Sequence, residues 1–188
     1  GIAVAAAIND VSEETGGSAK VNSTEVVGGD GTNIPSDLTS TGPFAVGDSA
    51  EIYLNGYLAG TVTLQDNGSG AIDTDRAKAD ALSVINSVAG KTGVDATDNG
   101  VSLSLSAEDG RNISIAVNDE SGAQESIGAR FGLDAAVAGI GESTFGEAQA
   151  TTNRGISAES ATYETTYSTV TLESEGEFTI TAGSEGAD

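Results

Sequence analysis

Apolar residues recur at helical spacing in two stretches of the chain. Val4, Ile8 and Val11 lie four and three apart, one stripe of a helix predicted over residues 2–15. Thr15-Gly16-Gly17 ends it, because glycine takes the left-handed backbone of a C-cap at little cost. Further on, Ala77, Ala81, Leu82, Ile85, Val88 and Ala89 form the apolar face of a second helix reaching about Lys91. Asp73, Thr74 or Asp75 is placed to cap it by accepting a hydrogen bond from a free backbone N–H. Lys91 in the last turn complements the helix dipole, and Gly93 stops the helix.

Elsewhere the period is closer to two. Residues 19–27 alternate weakly and predict a strand. Residues 50–55 and 57–65 flank Asn55-Gly56, the strongest short-range hairpin signal. Residues 94–97 and 101–107 predict a second hairpin around Asp98-Asn99-Gly100, after which Glu108-Asp109-Gly110 turns the chain into a strand over 112–117. The unit therefore reads as hairpin, helix and meander, a helix packed across antiparallel strands in two layers. Residues 28–47, with Pro35 and Pro43, predict a long loop or a domain junction. Residues 126–133 predict a short helix anchored by Ile127, Phe131 and Leu133, and 135–140 are apolar and small. Residues 144–162 read as loop. Residues 163–172 and 177–181 predict a closing hairpin.

The two helix ends carry one pattern. Ile8-Asn9-x-Val11-x-x-x-Thr15-Gly16-x-x-Ala19 recurs as Ile85-Asn86-x-Val88-x-x-x-Thr92-Gly93-x-x-Ala96, with six identities at a constant offset of 77 residues. Such self-similarity marks one supersecondary unit used more than once. Ile8 and Val11 are then expected at the same core positions as Ile85 and Val88. The first copy lacks the strands that precede the second, so its partners are expected from the C-terminal hairpin. Because residue 1 falls inside a helical pattern, the natural chain is expected to start earlier.

The second copy is followed by a Val101–Ala107 strand and Asp109-Gly110-Arg111-Asn112-Ile113, and preceded by Ala50-Glu-Ile-Tyr-Leu-Asn-Gly56. The combination resembles the repeat of the variable central region of bacterial flagellins, with related copies in hook-associated filament proteins. Residues 45–118 show the full pattern, and residues 167–178 look like another strand pair of that kind. The resemblance implies an α+β fold, mostly β, built as repeated units of antiparallel hairpins packed on one helix in two small domains. One domain is expected from residues 1–44 plus 155–188, discontinuous, and an inserted outer domain from 45–154. It also implies a surface-exposed structural component of the flagellar filament that supports motility, secreted and extracellular. Its partners would be other flagellin subunits, held through terminal helices that have no counterpart here, so this chain alone is expected to be a monomer. A filament cap or hook-associated protein is the alternative within the flagellum; a calcium-dependent extracellular adhesin is the alternative outside it.

Composition sharpens this picture. The 188 residues are 37% hydrophobic, with four Phe, four Tyr and no Trp, so Ala, Val, Ile and Leu must build the core. A core so short of aromatic residues is thin. With 26 Gly and two Pro, the chain is rich in turns rather than stiff linkers. The net charge of −22, from 29 acidic and seven basic residues, argues against nucleic acid and anionic membranes as partners. Residues 155–188 hold seven acidic residues and no basic one. No apolar run approaches the ~20 residues of a membrane span, and none reads as a signal peptide.

The absence of Cys and His removes disulfides, thiolate metal sites and any triad built on His. No enzymatic activity, cofactor or metal is expected. Three groups offer oxygen ligands for calcium: Asp73 with Asp75; Asp95 with Asp98 and Asn99; and Asp30 with Asn33. None fits the twelve-residue calcium loop, and Asp and Asn also favour caps and turns. Gly28-Gly29-Asp30-Gly31 lacks the Lys-Ser/Thr of a phosphate loop. Asn9 and Asn86 are expected to bond nearby backbone where helix meets strand, and Arg111 to make a local salt bridge. Asn22-Ser-Thr24, Asn67-Gly-Ser69 and Asn112-Ile-Ser114 match the N-glycosylation pattern. The family resemblance points instead to O-glycosylation, first of all over residues 151–162.

Overall fold

The structure is a computed structural model that describes residues 1–27, 44–119, 127–133, 164–174 and 176. Among these residues strand outweighs helix, and every strand pairing is antiparallel. The expectations placed on residues 28–43, 135–140, 144–162 and 177–181 lie outside the described residues.

Each predicted helix is split in two. The first is α1 (Ile2–Asn9) followed by α2 (Ser12–Thr15); the second, after the strands described below, is α3 (Thr74–Ser87) followed by α4 (Ala89–Thr92). The breaks fall at Val11 (φ −108°, ψ 13°) and Val88 (φ −111°, ψ 7°). At each the ladder tightens by one residue: Val11 N–H donates to Ile8 C=O at 3.3 Å and Val88 N–H to Ile85 C=O at 3.1 Å. Gly16 and Gly93 close the second pieces in the left-handed conformation, with φ 68° and 66°. Asp73 is the cap of α3, accepting from Arg76 N–H at 3.0 Å.

The residues 19–27 and 163–172, each read as one strand, are also broken. The first stretch is β1 (Gly17–Val21) and β2 (Thr24–Val27); the second contains β8 (Glu164–Thr166) and β9 (Val170–Ser174). In both, the halves belong to different sheets. β1 pairs with β9, whereas β2 joins β6 (Leu103–Ala107) and β8 joins β7 (Ile113–Asp119). The two chain segments switch sheets at one place. Asn22 N–H donates to Thr169 C=O at 3.0 Å, its side-chain amide donates to Thr169 Oγ1 at 3.0 Å, and Thr171 Oγ1 donates to its oxygen at 2.9 Å. One asparagine thus satisfies polar groups that two interrupted ladders leave open.

The remaining strands are β3 (Ser49–Leu54), β4 (Tyr57–Thr63) and β5 (Asp95–Asp98), giving sheets ordered β1-β9, β2-β6-β5 and β4-β3-β7-β8. Asn55 (φ 48°) and Gly56 (φ 84°) form the tight turn of the β3–β4 hairpin, the positive φ at both positions matching the twist of the strands. The expected meander is corrected: β7 does not continue beside β6 but inserts between β3 and β8. Gly110, at φ 71°, makes this possible, since a Cβ there would overlap the Val21 side chain and the Asn22 carbonyl. The turn packs down on the crossover and redirects the chain.

One core runs through the second copy of the pattern. Ala77, Ala81 and Ile85 of α3 are buried with Ala50, Ile52 and Leu54 of β3, Val62 of β4, Leu103 and Leu105 of β6, and Ile113, Ile115 and Val117 of β7. Val84, not counted in the predicted face, also packs there. Residues Ile127–Phe131 form a 3-10 helix rather than an α-helix, and Ile127, Phe131 and Leu133 are all fully buried, as their apolar character predicts. The expected equivalence of Ile8 and Val11 with Ile85 and Val88 does not hold. Ile85 is fully buried and Ile8 only half-buried, while Val88 is half-buried and Val11 stands 44% exposed. The reason is cover: in the described residues no hairpin lies over α1 as β3–β4 lies over α3.

Candidate functional site: asparagine locks and the surface they support

Asn9 and Asn86 stand at the ends of α1 and α3, where the chain must turn back into a strand. The Asn9 side-chain amide donates to Ala19 C=O at 2.9 Å and its oxygen accepts from Ala19 N–H at 2.7 Å. Asn86 treats Ala96 the same way, at 3.0 Å and 2.7 Å. An amide side chain has one donor end and one acceptor end, like a peptide group. Here it pairs with a strand as a neighbouring strand would: Ala19 is on β1 and Ala96 on β5, both terminal in their sheets among the described residues. An unpaired strand edge invites association with other chains, and each asparagine closes part of one.

The threonines repeat the correspondence. Thr15 Oγ1 donates to Val11 C=O at 3.0 Å and accepts from Gly17 N–H at 3.3 Å. Thr92 Oγ1 donates to Val88 C=O at 3.1 Å and accepts from Val94 N–H at 3.3 Å. The strand partners also agree in register, with Ala19 opposite Leu172 and Ala96 opposite Leu105.

Asn86→Ala is expected to cost about 1–3 kcal/mol, because it strips two partners from buried backbone. Asn86→Asp keeps the acceptor and loses the donor, so it should fall between. Urea unfolding of the three chains at neutral pH checks the order.

The end of α4 is tied down from a further direction. The Thr92 carbonyl accepts from the Asn55 side-chain amide at 3.1 Å and from Arg111 Nη1 at 2.9 Å. The Asn55 oxygen in turn accepts from Ser114 N–H at 2.8 Å. Gly93 leaves room for the guanidinium, which a Cβ would overlap. Arg111 also makes the expected salt bridge, Nη2 to Asp109 Oδ2 at 2.6 Å. Hydrogen bonds from the Arg111 side chain and backbone hold the Asp109 carboxyl below its ordinary pKa, and Asp109 raises that of Arg111. Asp98 is likewise lowered, first by Gly100 N–H and then by Lys78, whose Nζ lies 3.1 Å from Oδ1.

Both depressed carboxylates are bound more weakly by protons in the folded chain than in the unfolded one. Their contribution to stability is therefore present above the unfolded pKa near 3.8 and is lost as pH falls through the lower folded values. Both are nearly half exposed, so solvent screening keeps the effect small. The stability gap between the wild-type chain and Asp109→Asn should shrink on going from pH 6 to pH 3, measured by urea midpoints. A gap that widens would contradict this assignment.

The suggested calcium ligands are otherwise engaged or apart. Asp73 caps α3, Asp75 is exposed in its first turn, and Asp98 faces Lys78. The Asn99 oxygen accepts from Val101 N–H at 3.0 Å and Ser102 N–H at 2.7 Å, which shapes the β5–β6 connection. Among the described residues no three acidic side chains are grouped to hold a metal ion. Asp30, Asn33 and Gly28–Gly31 lie outside those residues, as do residues 151–162. Of the three glycosylation patterns, Asn22 is the crossover node and the Asn112 oxygen accepts from Ser168 N–H at 3.1 Å. Asn67 is exposed in a turn where its oxygen accepts from Ser69 N–H at 2.9 Å. Among the described residues no helix is long and apolar enough to cross a membrane. The tie of Asn55 and Arg111 to Thr92 has no local signature: the Asn-Gly and Asp-Gly-Arg turns are visible in the sequence, their common target is not.

No protein-family model matches the chain, and no curated protein is significantly similar to it.

Proposed function

We propose that the chain is the variable, outward-facing part of a flagellin, a structural element of the filament surface without catalytic chemistry. The observation that carries the reading is the doubled lock. Asn9-to-Ala19 and Asn86-to-Ala96 share hydrogen bonds and strand register across the 77-residue offset, at the positions where the sequence pattern resembles the flagellin-type repeat. The Asn-Gly turn and the Asp-Gly-Arg turn, quoted from the same repeat, meet on one carbonyl beside the second lock.

The sheet switch at Asn22 and Thr169 supports a chain made of two units. The first unit takes β1 and β9 from the two ends of the chain, and the second is inserted between them, with β2 and β8 hydrogen-bonded into the inserted part. Such an arrangement presents one domain at the end of another, joined by two adjacent strands. A net charge of −22 would keep such a surface hydrated and would repel like-charged neighbours.

Immunogold labelling of cells of the source organism, with antibody raised against this chain, tests the reading. Label along the whole filament is the expected result. Label confined to the filament tip or its base would assign the chain to a cap or hook-junction protein. Label on the cell body alone would favour an adhesin, as would a melting temperature raised by millimolar calcium.

A further inference from the structure

Asparagine stands before glycine at Asn55-Gly56, Asn67-Gly68 and Asn99-Gly100. Such a pair is open to attack by its own backbone. The glycine nitrogen reaches the side-chain carbonyl carbon through a five-membered ring, and no Cβ shields that nitrogen. Folding holds two of these asparagines. The Asn55 amide donates to Thr92 C=O, and its oxygen accepts from Ser114 N–H. The Asn99 amide donates to Ser102 Oγ at 3.0 Å and Ser104 Oγ at 3.1 Å, both on buried residues. In each, the nitrogen that would have to leave is tethered.

Asn67 is held at its other end. It is exposed in the turn from β4 to α3, and no described residue accepts from its amide nitrogen. Its oxygen accepts from Ser69 N–H at 2.9 Å and Ser69 Oγ at 2.7 Å. These donors polarise the carbonyl and face the oxygen on which charge would develop. The bond to Ser69 N–H also folds the side chain back along the Asn67–Gly68 peptide, which contains the attacking nitrogen. Gly68 N–H donates to Asp66 Oδ1 at 2.7 Å, so a carboxylate already holds the proton that must be removed. Nothing lies within 4 Å of where a Cβ would stand on Gly68.

The turn at Asp98-Asn99-Gly100 repeats the tripeptide, and Gly100 N–H donates to Asp98 Oδ1 at 2.8 Å. There the carboxylate also meets Lys78 Nζ at 3.1 Å. Gly100 N–H and then Lys78 hold Asp98 below its ordinary pKa, which makes it the weaker base. No described basic residue pairs with Asp66.

We propose that Asn67 is a self-modification site, where the folded turn deamidates its own side chain with Asp66 as general base and Ser69 as donor to the oxyanion. Asp66 takes the Gly68 N–H proton as the Gly68 nitrogen bonds to Asn67 Cγ. The Cγ–Nδ2 bond then breaks, and Nδ2 leaves as ammonia with a proton returned from Asp66. Water opens the resulting succinimide at either carbonyl, leaving an aspartyl or isoaspartyl residue at position 67. Each event adds one negative charge to a chain already at −22. The inference rests on the turn and is independent of the filament reading.

The test is incubation of the full chain at neutral pH, folded and in urea, followed by peptide mapping with mass and isoaspartate detection. In urea the three pairs should react at similar rates. In the folded chain Asn67 should react at least as fast as in urea, and Asn55 and Asn99 about tenfold more slowly or less, since their reaction needs local opening. The unreacted pairs in the same sample report that the chain stayed folded. Asp66→Asn keeps an acceptor for Gly68 N–H but removes the base, and should slow Asn67 by about tenfold. Ser69→Ala should slow it as well. Folding that protects Asn67 as much as Asn99 would overturn the proposal, and so would an unchanged Asn67 rate in Asp66→Asn.

Discussion

Ile85→Ala should lower the free energy of unfolding by about 2–5 kcal/mol, the range for truncating a fully buried aliphatic side chain. Ile85 is 0% exposed and faces the common core of α3, β3 and β6. Ile8→Ala, at the matching position of the first copy, should cost only about 1 kcal/mol, because a half-exposed side chain recovers less transfer free energy. For a domain whose total stability is about 5–15 kcal/mol, the first loss is a large fraction and the second is not. Urea unfolding of both variants, with unchanged slope and shifted midpoint, measures the contrast. Equal losses would mean that α1 is covered as fully as α3.

Phe131→Ala should cost about 3–5 kcal/mol, the range for emptying a buried aromatic site. Phe131 is 0% exposed in a chain with only four Phe, and it sits on the 3-10 helix that packs on α3. Its neighbours are fixed by backbone. Leu103 N–H donates to Gly132 C=O at 2.9 Å, and Leu133 N–H to Gly128 C=O at 3.1 Å. Arg130, 2% exposed, lies 5.8 Å from the centroid of the Phe44 ring, so the segment also brings a cation against an aromatic face. The surrounding strands cannot collapse into the gap without breaking these contacts. A midpoint shift no larger than that of Ile8→Ala would show that the segment contributes little to the core.

What the sequence made legible was local. Helical spacing at Ala77, Ala81 and Ile85, the Asp73 cap and the Asn55-Gly56 turn each depend on residues close in the chain, and each forms as read. The breaks at Val11 and Val88 were not legible, because nothing apolar changes there. The helix tightens so that the preceding asparagine can reach a strand ten residues on. The strand switches were hidden for a similar reason. Residues 19–27 alternate only weakly and give no local mark of where one sheet ends and the next begins, and only the distant Thr169 gives Asn22 its role as a node. The path of β7 depends on Gly110 meeting Val21, again a contact between remote segments. At the candidate site, the asparagines were legible as backbone binders because they recur at one position. The convergence of Asn55 and Arg111 on Thr92 was not, since three separated turns must first be folded together.

Both copies of the pattern make the same lock. Amide hydrogen exchange at Ala19 and Ala96 in Asn9→Ala and Asn86→Ala, compared with global opening, tests it most directly. Each substitution should speed exchange at its own alanine, Ala19 or Ala96, by about tenfold relative to global opening, since the amide loses its acceptor. If Asn9→Ala leaves Ala19 as protected as before while Asn86→Ala exposes Ala96, the first copy holds no lock and the chain contains one unit, not two.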